Sequence, residues 1–287
     1  MPTDSDNKRL ARLLRAATVE VYSRNAPEQL AGQFAPGGDV YVSYLPGDDA
    51  AKRVEIAAAL RKGGYNPIVH VPARQMLDAA HLDDYVARAA GEAGVTRMLL
   101  IAGDSTRPRG PFGSSLDVIQ SGVLQKHGVR RVDVAGHPEG NAGLRANELT
   151  AILIAKRDAT RAAGLEMGVV TQFCFDPRPI AEWLAAARAA ELDCPIRIGL
   201  AGPANPATLM KFALRCGVGN SIMALQKHVG TIGRLLRDTG PDGVTRGLAE
   251  TLDGPDGAAV VNFHFFPFGG LSKTLGWIAG AIREAEA

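Results

Sequence analysis

Short β-branched and apolar runs alternate with longer, Ala-rich amphipathic stretches from one end of this chain to the other, a pattern that predicts repeated βα units and a parallel sheet. The runs expected to form strands are Thr18 to Tyr22, Val40 to Tyr44, Pro67 to Val71, Arg97 to Ala102, Val132 to Ala135, Gly168 to Phe173, Ile196 to Leu200 and Ala258 to Phe263. The stretches Ala50 to Lys62, Asp83 to Glu92, Leu144 to Ala163, Pro179 to Ala190 and Pro206 to Cys216 carry apolar residues at steps of three and four, the spacing of one helix face. Between Asn220 and Leu252 the pattern predicts two more helices and no strand, which leaves a long interval before the last run. Gly63, Gly64, Gly94, Gly164 and Gly217 fall where helices should stop, since glycine accepts the left-handed conformation that closes a helix.

Units of this kind build either a closed barrel or an open doubly wound sheet. No Gly-rich dinucleotide turn follows the first run, so the expectation is a (β/α)8 TIM barrel. A length of 287 residues suits one such domain spanning residues 1–287, with residues 1–14 as an N-terminal extension or helix.

Composition narrows the partners. Hydrophobic residues at 46% and charged residues at 22% leave ample apolar surface for a large core. Lys plus Arg number 32 against 30 Asp plus Glu, so no global field steers the protein to nucleic acid or to an acidic membrane. The opening residues are polar and acidic, and no apolar run reaches about 18 residues, so neither an export signal nor a membrane span is expected. Cys174, Cys194 and Cys216 form no CxxC pair and have no histidine at zinc-ligand spacing; a reducing, cytoplasmic setting and no metal site are expected. A homo-oligomer is compatible with a barrel, although no apolar stripe marks an interface.

A barrel gathers its chemistry at the carboxyl ends of its strands, and several runs end in polar groups. Glu20 lies inside the first, Ser43 and His70 stand at the ends of the second and third, Asp104 and His137 follow the fourth and fifth, and Gln172 ends the sixth. A carboxylate inside a barrel is desolvated, which suits a group that donates a proton near neutral pH. Each residue also has a plain structural reading: Glu20 as the buried partner of an arginine, His70 as a core imidazole bonded to a carbonyl, Asp104 as a helix cap or turn residue. Their coincidence on one face implies a concave binding site. The absence of a P-loop, an HExxH and a GxSxG argues against nucleotide hydrolysis and the familiar zinc and serine hydrolases.

The segment Val170-Thr171-Gln172-Phe173-Cys174-Phe175-Asp176 resembles the Thr-Gln-Phe-hydrophobe-Phe-Asp segment of methylenetetrahydrofolate reductases. The resemblance runs in order through Val19-Glu20-Val21-Tyr22, Val42-Ser43-Tyr44, His70-Val71, Gly103-Asp104, His137-Pro138-Glu139 and Phe263-His264-Phe265, over roughly residues 15–275. It implies a (β/α)8 barrel that uses FAD to convert 5,10-methylenetetrahydrofolate to 5-methyltetrahydrofolate. By that likeness Glu20 is the general acid for N10 of the folate, Asp104 the carboxylate that steadies the N5 iminium, and Gln172 and Phe173 folate contacts. The same likeness makes Ser43, His70, Ala102, Gly103, Asp104, Phe112, Ser114, His137, Asn141 and Lys156 the cofactor-binding set. The likeness allows NAD(P)H as electron donor without choosing it over another reductant.

Departures from the family pattern bear on the cofactor. Ala102 stands where the family commonly has an arginine, Asn141 replaces a histidine, and Lys156 matches the family's helix lysine only if the helix before Gly164 is about one turn longer here. Two alternatives follow: a flavin-free reductase in which nicotinamide reduces the folate directly, and a pterin- or folate-binding barrel without redox activity.

Overall fold

In the computed structural model, which describes residues 3–45, 47–103, 105–141, 144–216, 240–252 and 261–287, eight parallel strands close into a barrel in chain order. They are β1 (Thr18–Val21), β2 (Asp39–Val42), β3 (Asn66–Pro72), β4 (Arg97–Ile101), β5 (Arg131–Gly136), β6 (Glu166–Phe173), β7 (Ile196–Ala201) and β8 (Val261–Phe266). Helices alternate with them, so the expected TIM barrel is the fold. β1 also pairs in parallel with β8, placing Thr18 opposite His264.

The helices Ala50–Lys62 and Pro206–Cys216 have the bounds that their periodicity predicts. The fourth-strand approach helix is longer than expected, Ala79–Ala93, because Asp78 caps it by accepting the His81 N–H at 2.8 Å. Residues 1–14 were expected as an extension or a helix; of these, the residues from Asp4 onward lie in the helix Asp4–Arg15, closed at its start by a Thr3–Asp6 capping box. One boundary needs correcting. The last strand runs Val261–Phe266 rather than ending at Phe263, since His264 is accommodated inside the sheet by Thr18 Oγ1 at 2.8 Å. The start of that expected run, residues 258–260, lies outside the described residues, as do Gly217 and residues 220–239 of the interval where two helices were expected; the helix Asp242–Thr251 occupies its described end.

The chain packs as two units. One comprises Met1–Val19, Gly136–Ala151 and Thr171–Ala287; the other comprises Glu20–Ala135 and Ile152–Val170. Within the second, Tyr41, Ile68, Leu99 and Val170 form one buried cluster. β4 and β6 are not neighbours in the sheet, so these side chains meet across the barrel interior, which fixes the inward face of β2, β3, β4 and β6. Below that layer sits a charged one: Asp133 is fully buried and takes hydrogen bonds from Tyr41 Oη at 2.7 Å and from Arg131 Nε and Nη2 at 3.1 and 3.0 Å, while Arg97 bridges Asp39 and Asp133. Gly168 leaves room for it, because a Cβ there would lie 2.2 Å from both Arg131 Nη2 and Asp133 Oδ1.

In the first unit, Phe173 packs with Ala201, Ala204, Leu209 and Ala213 and with the rings of Phe175, Phe212, Phe266 and Phe268. Phe212 and Phe268 stack at 4.0 Å. Among the described residues no helix is long and apolar enough to cross a membrane.

Candidate functional site

Stepping two residues along an inward-facing strand position moves one layer toward the carboxyl end. From Tyr41 that step leads to Ser43, and from Ile68 it leads to His70. Both meet Glu20 of β1. The Ser43 hydroxyl donates to Glu20 Oε2 at 2.6 Å, and His70 Nε2 lies 3.1 Å from Glu20 Oε1. All three residues are buried, at 6–7% exposure. The ring nitrogen of His70 is near enough for a charge contact but is not aligned for a hydrogen bond.

The other ring nitrogen identifies the tautomer. The backbone N–H of Tyr44 donates to His70 Nδ1 at 3.3 Å. An N–H can only donate, so Nδ1 carries a lone pair and the ring proton of the neutral imidazole sits on Nε2, facing Glu20. Three residues that the sequence singled out are thereby brought together at the carboxyl ends of β1, β2 and β3.

The other sequence candidates are placed as follows. Asp104 lies outside the described residues. Gly103, beside it, has a φ of +87° that favours glycine, and a Cβ there would press on Pro72. Ala102 accepts the Arg74 N–H through its carbonyl at 3.0 Å. Phe112 is buried. Ser114 is the N-cap of the helix Ser115–Gln120, with its N–H and hydroxyl, together with the Gly113 N–H, directed at Asp117 Oδ2. His137 and Asn141 are paired at 3.2 Å.

Gln172 is two residues beyond Val170 and so on the same face of β6. Its Nε2 donates to the Cys216 carbonyl. A carbonyl only accepts, so this contact leaves the buried Oε1 as the open acceptor. Phe173, expected to touch substrate, faces the opposite way and is 1% exposed in the aromatic cluster, a packing position. Lys156 lies in the middle of the helix Ala146–Ala162 on a buried stripe with Leu149, Leu153 and Thr160; burial lowers its pKa from 10.5 to about 8.

Sequence reasoning missed several residues. Arg74 Nε and Nη1 hold the carbonyls of Gly113 and Ser105 at 2.9 and 3.0 Å, which clamps the loop after β4. Tyr85 Oη donates to the His70 carbonyl at 2.9 Å, and Arg53 Nε donates to Tyr85 Oη at 3.1 Å. The signal for Arg53 was in the sequence: it heads the stripe Arg53, Ile56, Ala57, Leu60, all buried in the structure.

The described residues do not fit a flavin as the family resemblance would have it. Ser43 is engaged by Glu20, the Tyr44 N–H occupies His70 Nδ1, Ser114 and the Gly113 N–H are spent on Asp117, and Asn141 is paired with His137. Ala102 offers no cation for a pyrophosphate.

No protein-family model matches the chain. Among solved structures it is similar to an uncharacterized protein from Clostridium thermocellum that binds two copies of 5-methyl-5,6,7,8-tetrahydrofolic acid, with a TM-score of 0.56, 11% identity, and 94% of each chain covered. It is also similar to 3-dehydroquinate dehydratase from Geobacillus kaustophilus, with a TM-score of 0.48, 10% identity, and 94% of this chain and 90% of that one covered. At these identities the likeness is one of fold.

Proposed function

We propose that this chain is a reduced-folate oxidoreductase that interconverts 5,10-methylenetetrahydrofolate and 5-methyltetrahydrofolate, with reduced nicotinamide delivering the hydride directly. The observation that carries the reading is the buried Glu20, held by Ser43 and His70 where a barrel keeps its reactive groups. The ordered family resemblance supports it, as does the Clostridium thermocellum neighbour, whose ligand is the product of the reduction.

The chemistry needs one proton and one hydride. Protonating N10 breaks the N10–CH2 bond of the five-membered ring and leaves an N5=CH2 iminium; hydride addition to that carbon gives the N5-methyl group. Glu20 in its protonated form is the proton donor: its acid hydrogen goes to N10, and the carboxylate left behind is received by the Ser43 hydroxyl and the His70 Nε2–H. Gln172 keeps the folate-contact role that the family resemblance gives it, for which an amide suits a heterocycle presenting donors and acceptors. Asp104 keeps the role that the resemblance gives it, opposite the developing positive charge. The internal engagement of Ser43, His70, Ser114 and Asn141 counts against FAD as the immediate reductant, and reduced nicotinamide is the donor that the family resemblance leaves in its place.

Glu20→Gln tests the assignment. The expected result is a fall of about 10²–10⁴-fold in the rate of methylene-folate reduction, with folate affinity kept, measured by single-turnover absorbance and equilibrium titration. Unchanged turnover would remove Glu20 from the chemistry.

A further inference from the structure

We propose that Arg53 is a positioning residue for Glu20, acting through Tyr44, Tyr85 and His70. The inference rests on the reading of Glu20 as the proton donor, and it concerns a residue that does not touch Glu20 itself.

Arg53 is 2% exposed, and no acidic partner faces it among the described residues. Its guanidinium lies 5.4 Å from the centre of the Tyr44 ring and 5.0 Å from that of Tyr85. Its Nε donates to Tyr85 Oη at 3.1 Å, while Nη1 is buried without a hydrogen-bond partner. Burying a cation without a carboxylate is unfavourable, and two ring faces offset only part of that. A leucine or methionine would fill the same stripe beside Ile56, Ala57 and Leu60 with no such cost. Packing alone therefore does not account for an arginine here.

What the cation does is visible in its two contacts. Both tyrosines that it touches go on to hold His70, from opposite ends. Tyr85 passes its hydroxyl hydrogen to the His70 carbonyl at 2.9 Å, which fixes the backbone of β3 at that residue. Tyr44 directs its backbone N–H at His70 Nδ1 at 3.3 Å, which fixes the tautomer. With Nδ1 occupied by a donor, the ring hydrogen is confined to Nε2, 3.1 Å from Glu20 Oε1. Arg53 thus ties the loop after β2 to the helix after β3. The consequence is a single orientation of the imidazole and, with Ser43 on the other oxygen, a single orientation of the Glu20 carboxyl.

The test separates this role from simple structural support and from the folate reading. Uniformly 15N-labelled protein without ligand is examined by long-range 1H–15N correlation, which distinguishes pyrrole-type from pyridine-type ring nitrogens. His70→Asn identifies the His70 signals. Wild type is expected to show His70 with the hydrogen on Nε2 only. Arg53→Met and Tyr85→Phe are each expected to yield a mixture of both tautomers and to lower kcat about tenfold or more, with the folate KM changed by less than about twofold.

A His70 hydrogen on Nδ1 in wild type would overturn the proposal. So would retention of the pure Nε2 form in both variants, whether or not kcat falls, because Arg53 would then act by another route. If Arg53→Met does not fold, Tyr85→Phe, which keeps the ring and loses one hydroxyl, decides the matter. The tautomer is read without substrate, so a protein that turns over no folate would sink the proposed reaction while leaving this measurement to give its own answer.

Discussion

Lys156 shows how much a single buried group can be asked to bear. Its ammonium sits on a helix stripe otherwise made of Leu149, Leu153 and Thr160, and desolvation brings its pKa down from 10.5 to about 8. In the unfolded chain the amine holds its proton up to about pH 10.5, and in the folded protein only up to about 8. Between those values the unfolded state binds the extra proton, so stability rises with pH; below pH 8 both states are charged and the whole penalty is present, on the order of 3 kcal/mol. Lys156→Met should therefore be more stable than wild type in urea at pH 7, by a margin that shrinks as the pH approaches 10. A less stable variant at pH 7 would mean that the amine is held by an interaction that offsets its burial. At this scale the sequence singled out Glu20, Ser43 and His70, because each is a polar residue interrupting or ending an apolar strand, and the structure puts the three in contact. The sequence could not show that they bond to one another, nor that Phe173 turns away from Gln172 into the aromatic cluster. Those facts depend on which face of each strand looks inward, and strands buried on both faces carry no alternation to reveal it.

At the level of elements the same lack of alternation hid the charged layer. Val132 to Ala135 reads as an apolar run, and Asp133 within it passes for an exception, yet Asp133 is the acceptor on which β2, β4 and β5 converge through Tyr41, Arg97 and Arg131. Two arginines and a phenol surround one fully buried carboxylate, and Arg97 has Asp39 as a second partner. Asp133→Ala takes the carboxylate from Arg131 and leaves Arg97 with Asp39 alone, so it should cost about 3 kcal/mol in denaturant unfolding. A loss below about 1 kcal/mol would mean that solvent reaches the layer and screens it. Removing a buried charge outright is a different experiment from removing its partner, and only the second exposes what the layer contributes. Helix bounds were more legible than strand bounds where a stripe of apolar residues ran the full length, as in Ala50–Lys62. They were less so where a cap sets the start, as at Asp78, since Ala79, Ala80 and His81 carry no helical stripe of their own.

For the molecule as a whole, eight βα units in order narrowed the fold to a closed barrel or an open doubly wound sheet, and the lack of a Gly-rich dinucleotide turn after the first strand favoured the barrel that the structure shows. The ligand is a separate matter, since this fold hosts many chemistries and a likeness at 11% identity speaks to architecture. Binding to the folded state alone raises its stability with the logarithm of ligand concentration over Kd, so the melting temperature reports on all ligand contacts at once. At about 100 times its Kd, 5-methyltetrahydrofolate should add about 2.7 kcal/mol, which for a chain of this size moves the midpoint upward by about 5 °C. FAD at the same concentration should leave the midpoint where it was, because Ser43, His70, Ser114 and Asn141 already direct their hydrogen-bonding groups inward to protein partners. The two arms carry different meanings. A midpoint raised by FAD would show that those internal contacts open for a flavin and would displace nicotinamide as the immediate reductant, whereas a midpoint indifferent to every reduced folate would remove the substrate on which the proposed proton transfer depends.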